Sequence, residues 1–418
     1  MESVKKIVFL IARLAVGAVF TFSGFVKIID PWGTAYKIQD YLEAMGEFFM
    51  NFSSFAFVAS VILATVELAV GANLFFGIRV RQNAFVAAIL MLFMTPLTLW
   101  IAIENPVHDC GCFGDAVVIS NWATFWKNVV LVVLIALIFI FLKTYRCRLT
   151  KTCQWIIEGF TVLCALGLAG YCYRSLPIVD FRPYHIGADI RMGMEIPDDA
   201  EQDVYDTKLI YEKNGVQKEF TIDNYPANDS TWRFVDQKSV LVKQGYVPPI
   251  HDFTIDTEDD GDVTEEFLDD KGYTFLIISY DLSKVNFNDQ KRRKITDLNA
   301  FALKNGYNMY LLTASVDEDI QNFRNTVSQD IVVGLTDKIT LKTIIRYNPG
   351  VVLVKDGVII NKWPLPDVPE FKVPLEKSKY GIVAPTHERR NVLVALLIWL
   401  IPMLVLSVMD LKLNRGRD

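Results

Sequence analysis

Two thiols separated by one glycine are the residues of this chain best suited to chemistry: Cys110-Gly111-Cys112, within Asp109-Cys-Gly-Cys-Phe113-Gly114-Asp115. A disulfide across one residue closes a very small ring, and strained disulfides are the labile, exchangeable ones. Glycine is the residue most able to take up the backbone angles that such a ring demands. Three chemistries follow. The pair is an exchangeable dithiol, a static disulfide that locks its loop, or part of a metal site. A metal would need further ligands, and His108 and Asp115 are the only local ones; no metal is assigned.

Charged side chains inside apolar blocks are the next candidates, because ionisable groups are costly in a bilayer and are retained there for a role. Glu67 lies well inside the second apolar block and Arg13 inside the first. At 1.5 Å per residue, Arg13 sits about 10 Å and Glu67 about 16 Å from the same boundary, so a buried Arg13–Glu67 pair is expected. A proton-linked or quinone-linked role for Glu67 is the sharper alternative. Glu67 is then about 20 Å from the boundary nearest the cysteines, too far to act on Cys112 unless the loop dips inward. Lys27 and Glu104 fall at block ends near that loop. Lys27 either lowers a thiol pKa or extends its amine to the interface. Glu67, Arg13 and Lys27 are the candidates to bind a cofactor. No cofactor is fixed by the residues; a quinone is the carrier that a membrane dithiol would use.

The remaining candidates are bland. Cys147 and Cys153 fall in a basic loop, and Cys164 and Cys172 in an apolar block where cysteine is an ordinary small filler. Cys172 approaches the dithiol side and is a remote candidate to resolve an exchange. Trp32, Trp100, Trp122 and Trp155 mark block ends, as interfacial aromatics do. The acidic run Asp256–Asp262 lacks the alternating ligand pattern of a calcium loop.

These residues must be positioned by membrane helices. Of 418 residues 52% are hydrophobic, with mean hydropathy +0.27, and the apolar residues gather in separated blocks. The blocks are Ile7–Ile29, Phe55–Ile78, Ala84–Ile103, Trp122–Leu142, Trp155–Tyr173 and Val392–Val408, each near the ~20 residues that cross a bilayer. Lys5 and Lys6, Arg79 and Arg81, the set Lys143, Arg146, Arg148 and Lys151, and finally Lys412, Arg415 and Arg417 all fall on one side if every block spans. That is the positive-inside pattern. Both termini are then cytoplasmic, in a bacterial inner membrane, with the cysteine loop and the long segment after Tyr173 periplasmic. The first block has no small-residue cleavage site and reads as a retained helix. A net charge of -6 with no basic run interleaved with aromatics points away from nucleic acid.

In the long segment, Asn214-Gly215 between extended runs from Val204 to Ile222 signals a hairpin. A second extended pair is expected at Thr231–Val235 and Ser239–Lys243. Then strand and helix alternate: Thr274–Tyr280, helix Asp289–Asn305, Met309–Thr313, helix Glu318–Val327, Ile331–Gly334, helix Thr340–Arg346, and a closing hairpin, Val351–Lys355 with Val358–Trp363. This is the pattern of a small mixed α/β sheet.

Two resemblances carry further expectations. Ser23-Gly24-Phe25-Val26-Lys27 with Asp30-Pro31 is similar to DoxX-type proteins, and Glu67-Leu68-Ala69-Val70-Gly71 with the Cys110-Gly111-Cys112-Phe113-Gly114 loop resembles the MauE branch of that superfamily. That implies a four-helix membrane bundle, an association with methylamine utilisation through maturation of a disulfide-rich periplasmic subunit, and thiol- or quinone-related redox functions. His251-Asp252-Phe253-Thr254 as entry strand and Arg346-Tyr347-Asn348-Pro349-Gly350 as cis-proline loop resemble the thioredoxin fold. The stretch after Thr274–Tyr280 reads Asp281-Leu282-Ser283-Lys284-Val285-Asn286-Phe287, without Cys-x-x-Cys, and no cysteine lies beyond Cys172. With no thiolate, that region cannot exchange disulfides itself.

The expected organisation is an α-helical membrane bundle joined to an α/β thioredoxin-like domain. A four-helix domain at 1–145 and a fifth span at 146–176 are followed by a β-rich periplasmic segment at 177–245. The thioredoxin-like domain at 246–388 and a sixth span with a basic tail at 389–418 complete it. The expected function is periplasmic thiol–disulfide chemistry, or maturation of envelope proteins, with a possible oxidoreductase activity on Cys110 and Cys112. The redox-silent domain would dock a periplasmic client. The alternatives are a non-enzymatic anchor for an envelope complex and, more weakly, a small-molecule transporter.

Overall fold

The computed structural model describes residues 2–107, 110–147, 149–202, 204–213, 215–221, 224–227, 229–243, 245–385 and 388–414. His108, Asp109, Arg148, Asn214, Ile222, Arg415 and Arg417, named above, lie outside them.

Among the described residues six helices are long and apolar enough to cross a membrane. They are α1 (Glu2–Ile29), α4 (Ala56–Phe76), α5 (Val80–Glu104), α6 (Asn121–Phe141), α7 (Lys151–Arg174) and α13 (Glu388–Asn414). Between the first two spans lie two helices that were not expected, α2 (Pro31–Ala44) and the short α3 (Glu47–Met50). The start signals of α2 were present in the sequence. The Asp30 side chain accepts a hydrogen bond from the backbone of Gly33, and Pro31 opens the helix, where its missing N–H costs nothing.

Helices α1 and α4 pack most closely, and glycines let them. A Cβ on Gly24 would stand 2.3 Å from the backbone N of Leu68, one on Gly17 2.6 Å from that of Phe75, and one on Gly71 2.2 Å from that of Thr21. No side chain fits in such gaps, so the helix backbones themselves touch, as small residues allow in membranes. The three contacts fix the antiparallel register of the two helices. Phe9, Val16, Phe20, Val70 and Leu74 fill the core between them, with Leu131, Ile135 and Ile138 of α6. α13 lies against α7, where the Trp399 indole donates to Thr161 Oγ1.

Beyond α7 the chain forms two sheets. The first is three-stranded, in order β2-β1-β3, from β1 (Val204–Lys213), β2 (Val216–Thr221) and β3 (Arg233–Lys243). β1 and β2 pair antiparallel as the hairpin signal predicts, with Lys213 opposite Val216 and Gly215 at φ +80°. The expected second pair is instead the single strand β3, antiparallel to β1. Asp236-Gln237-Lys238 between its halves holds no glycine or proline to turn the chain.

The second sheet has order β10-β9-β6-β7-β8-β4-β5. Its strands are β4 (Asp256–Thr257), β5 (Gly261–Asp262), β6 (Tyr273–Ser279), β7 (Asn308–Thr313), β8 (Val332–Leu335), β9 (Gly350–Lys355) and β10 (Val358–Pro364). β6, β7 and β8 are parallel, while β9 runs antiparallel to β6 and to β10. The buried run Tyr273–Ser279 is central and covered on both faces. The covering helices are α8 (Ile190–Met194), α9 (Thr264–Asp269), α10 (Asp289–Asn305), α11 (Asp317–Thr326) and α12 (Lys338–Ile344). No strand forms at His251–Thr254, contrary to expectation. Phe253 and Ile255 are buried there as anchors, and the first pairing begins at Asp256.

Gly71→Ala tests the backbone contact of α1 with α4. Overpacking should cost about 1–3 kcal/mol or more, seen as a lower melting temperature in detergent. Gly159→Ala, where an added Cβ meets nothing within 4 Å, should leave it unchanged.

Candidate functional site

The register of α1 against α4 decides which charges meet. Gly24 faces Leu68, so Ser23 and Lys27 flank Glu67. Lys27 Nζ lies 2.6 Å from Glu67 Oε2, with both side chains less than a tenth exposed. The expected Arg13–Glu67 pair does not form. Arg13 is level with the last turn of α4, about 16 Å along the axis from Gly24 at 1.5 Å per residue. Its guanidinium donates to the carbonyls of Leu74 and Phe75 and stands over the Tyr145 ring. Those carbonyls lie in the last turn of α4, where Leu74 also accepts from the Gly77 backbone, and a cation there suits the helix dipole. Arg13 therefore serves the far end of the bundle.

The cysteine loop dips into the bundle, so the expected separation from Glu67 does not hold. Ser23 Oγ lies 2.8 Å from Glu67 Oε2 and 2.7 Å from the carbonyl O of Cys112, and it accepts from Lys27 Nζ at 2.8 Å. A hydroxyl has one proton, so Ser23 donates to one of these two oxygens at a time. The Tyr41 hydroxyl of α2 donates to the carbonyl of Cys110. Both cysteine carbonyls are thus tied, one to α1 and one to α2. Gly111 takes φ +63°, and a Cβ there would meet Lys37 Cγ at 3.1 Å. The positive φ favours glycine here, and a Cβ would in addition crowd the Lys37 side chain.

The two sulfurs lie 3.1 Å apart as free thiols. Cys110 is buried and Cys112 half-buried. The hydrogen bond between them splits their acidities. It pushes the Cys110 thiol up, aided by burial, and brings Cys112 down to about 6. Lys127 and Lys27 lower Cys112 further, against burial and the charge of Glu67. Cys112 is thus the more acidic thiol of the pair, and a lowered thiol pKa is what favours the reactive anion. Phe113 extends the site: its ring lies 5.4 Å from Phe22 and 4.3 Å beneath Lys127 Nζ.

Asp115 at the loop's end turns to the α/β region. Arg346 Nη2 donates to Asp115 Oδ2 at 3.2 Å, and Arg346 Nε to Asp30 Oδ2 at 2.9 Å. A cavity of about 180 Å³ lies between the two halves here, lined by Lys37, Asp40, Gly111, Asp115, Lys342 and Arg346.

The site therefore unites Cys110, Cys112, Glu67 and Lys27 of the expected set and leaves Arg13 out. Asp115, a local candidate had a metal been bound, faces Arg346, and among the described residues no three His, Cys, Asp or Glu side chains cluster to hold an ion. Glu104 is exposed, and Cys172 is buried against Ile28, Ile29 and Ala169. Lys127, Tyr41, Asp30 and Arg346 are additions. Lys127 carried a signal, a charge inside an apolar block. A quinone has an apolar groove of about 640 Å³ along α1, α4, α7 and α13, lined by Phe22, Phe25, Leu68, Phe75 and Trp399. These residues suit an isoprenoid tail but bring no cation or carboxylate to a quinone ring.

Residues 5–141 match the family model described as Methylamine utilisation protein MauE. This helical third of the chain therefore carries a MauE family domain, in a multi-pass membrane protein. Residues 205–244, the three-stranded sheet, match a domain of unknown function, DUF8463. No curated protein and no solved structure matches the chain.

Lys27→Met leaves Glu67 buried without its cation and should cost roughly 3–5 kcal/mol, read as a fall in melting temperature. Adding Glu67→Gln should recover part of the loss, because the uncompensated charge is gone. Equal melting of all three proteins would show that the pair is not buried.

Proposed function

We propose that the chain is a membrane thiol–disulfide factor whose reacting group is the Cys110–Cys112 dithiol. The observation that carries this reading is the pair of free thiols 3.1 Å apart, in a loop tied through both cysteine carbonyls. The MauE family description, which names methylamine utilisation, is compatible with maturation of a client protein but does not define the client.

The exchange follows from the split acidities. The Cys112 thiolate attacks one sulfur of a client disulfide, and a Cys112–client mixed disulfide forms as the client's S–S bond breaks. The departing client thiolate takes a proton, for which the Cys110 thiol is the adjacent source. Cys110, now a thiolate, attacks the Cys112 sulfur and releases the second client thiolate, which is protonated from water. The client gains two electrons and two protons, and the pair becomes a disulfide. Run backwards, the same steps oxidise a client dithiol. Lys27 and Lys127 favour the anionic sulfur, and Glu67 holds Lys27 in place through their ion pair.

The large α/β region reads as thioredoxin-like without its redox motif. The parallel β6–β7 pair closed by the β9–β10 hairpin supports that. The positive-inside pattern of the basic helix ends supports a periplasmic position for this region and the cysteine loop, in a bacterial inner membrane.

Alkylation of Cys112 in the purified protein should rise with pH around a midpoint near 6, and Lys127→Met should move the midpoint upward because a cation favouring the thiolate is lost. In cells, the oxidised fraction of Cys110 and Cys112 should follow added reductant and oxidant, read by thiol trapping. A pair that stays fully oxidised under both would make the bond a static lock and end the redox reading.

A further inference from the structure

We infer that Arg346 is a positioning residue for the membrane dithiol: the cysteine-free α/β region acts on Cys110 and Cys112 by gripping their loop through Asp115 and Asp30. This rests on the thiol–disulfide reading above and reverses the expected use of the region. The face at the end of α12 and the start of β9 is turned inward, onto the chain's own cysteine loop, rather than outward to a client.

Each nitrogen of the guanidinium donates. Nε donates to both Asp30 oxygens at 3.2 and 2.9 Å, Nη1 to the Lys342 carbonyl at 2.7 Å, and Nη2 to Asp115 at 3.2 Å. Only 8% of the side chain is exposed. Its two carboxylates come from different segments, the cap of α2 and the end of the cysteine loop. Arginine's rigid planar fork is suited to holding two acceptors at a fixed angle, which one lysine ammonium is not. The grip is braced from below. The Tyr36 ring of α2 carries Lys342 Nζ at 4.1 Å and the Arg346 guanidinium at 5.5 Å, and its edge meets Tyr280 at 6.4 Å.

Charge makes the grip decisive for the loop. Burial alone would lower the Arg346 pKa, and Asp30 and Asp115 more than offset it. Without the guanidinium, two carboxylates would face each other in a partly desolvated crevice, and burial together with Asp30 already pushes Asp115 up. The loop end would swing away. Arg346 does not itself face Cys112; Cys110, Lys127, Lys27 and Glu67 do. It therefore acts through geometry. It keeps the loop where Cys110 can hydrogen-bond to the Cys112 sulfur and where Lys127 and Lys27 stand nearby.

The test is the pH midpoint of Cys112 alkylation in full-length protein in detergent. Access alone changes the rate but not the midpoint. Arg346→Ala and Asp115→Ala break the same bond from opposite sides, and Asp115→Ala leaves the α/β region untouched should Arg346→Ala disturb its folding. Both should raise the midpoint by about one pH unit or more, a tenfold change in the thiolate equilibrium. The double variant should shift no further than the larger single one, as expected when both changes remove one interaction. Arg191→Ala, which removes exposed ion pairs to Glu265 and Asp269, should leave the midpoint unchanged. If the wild-type midpoint is low and either single variant leaves it in place, the grip is wrong and the redox reading stands. If the wild-type thiols titrate like ordinary cysteines, the redox reading falls and the grip with it.

Discussion

A charged pair inside an apolar bundle constrains everything around it. Lys27 and Glu67 are each expensive to remove from water, and only close approach with further hydrogen bonds offsets that cost. Ser23 accepts from Lys27 and stands within donating distance of both Glu67 and the carbonyl of Cys112, to one of which it gives its proton at a time. The pair can form only because glycines bring α1 and α4 into backbone contact at the right register. Helix packing, buried charge and loop position are thus one arrangement, and the dithiol sits at its open end.

Each half of the molecule contributes something the other lacks. The bundle holds the thiols and the cations beside them. The α/β region holds a stiff, covered sheet in which β9 is almost wholly buried, and Arg346 projects just before that strand. A residue so anchored transmits the position of a whole layer to one loop carboxylate. A cysteine-free region can in this way serve thiol chemistry without taking part in it.

Much of this was legible in the sequence. The six apolar blocks became the six long helices because length and hydropathy are set by the bilayer itself. Glu67 stood out by the cost of its charge, and Cys110-Gly111-Cys112 by its spacing. The partner of Glu67 was not legible from depth along each helix, because register comes from Gly17, Gly24 and Gly71 touching a facing backbone. Lys127 was overlooked among the aromatics Trp122, Phe125 and Trp126, although its charge was signal enough. The bond from Arg346 to Asp115 spans 231 positions and leaves no local trace. Arg346 opens one of the two motifs that suggested family resemblances and Asp115 directly follows the other, yet nothing in either stretch pointed to the other. At His251–Thr254, buried apolar residues resembled a strand because burial and alternation are shared by any anchored extended chain.

The central claim is that Cys112 attacks and Cys110 resolves. It is tested most directly by trapping mixed disulfides in cells that carry Cys110→Ser or Cys112→Ser, followed by identification of the linked protein. Cys110→Ser should accumulate a covalent adduct through Cys112 that reductant releases, while Cys112→Ser accumulates far less. Equal adducts from both variants would contradict the assigned order, and none from either would contradict the exchange itself.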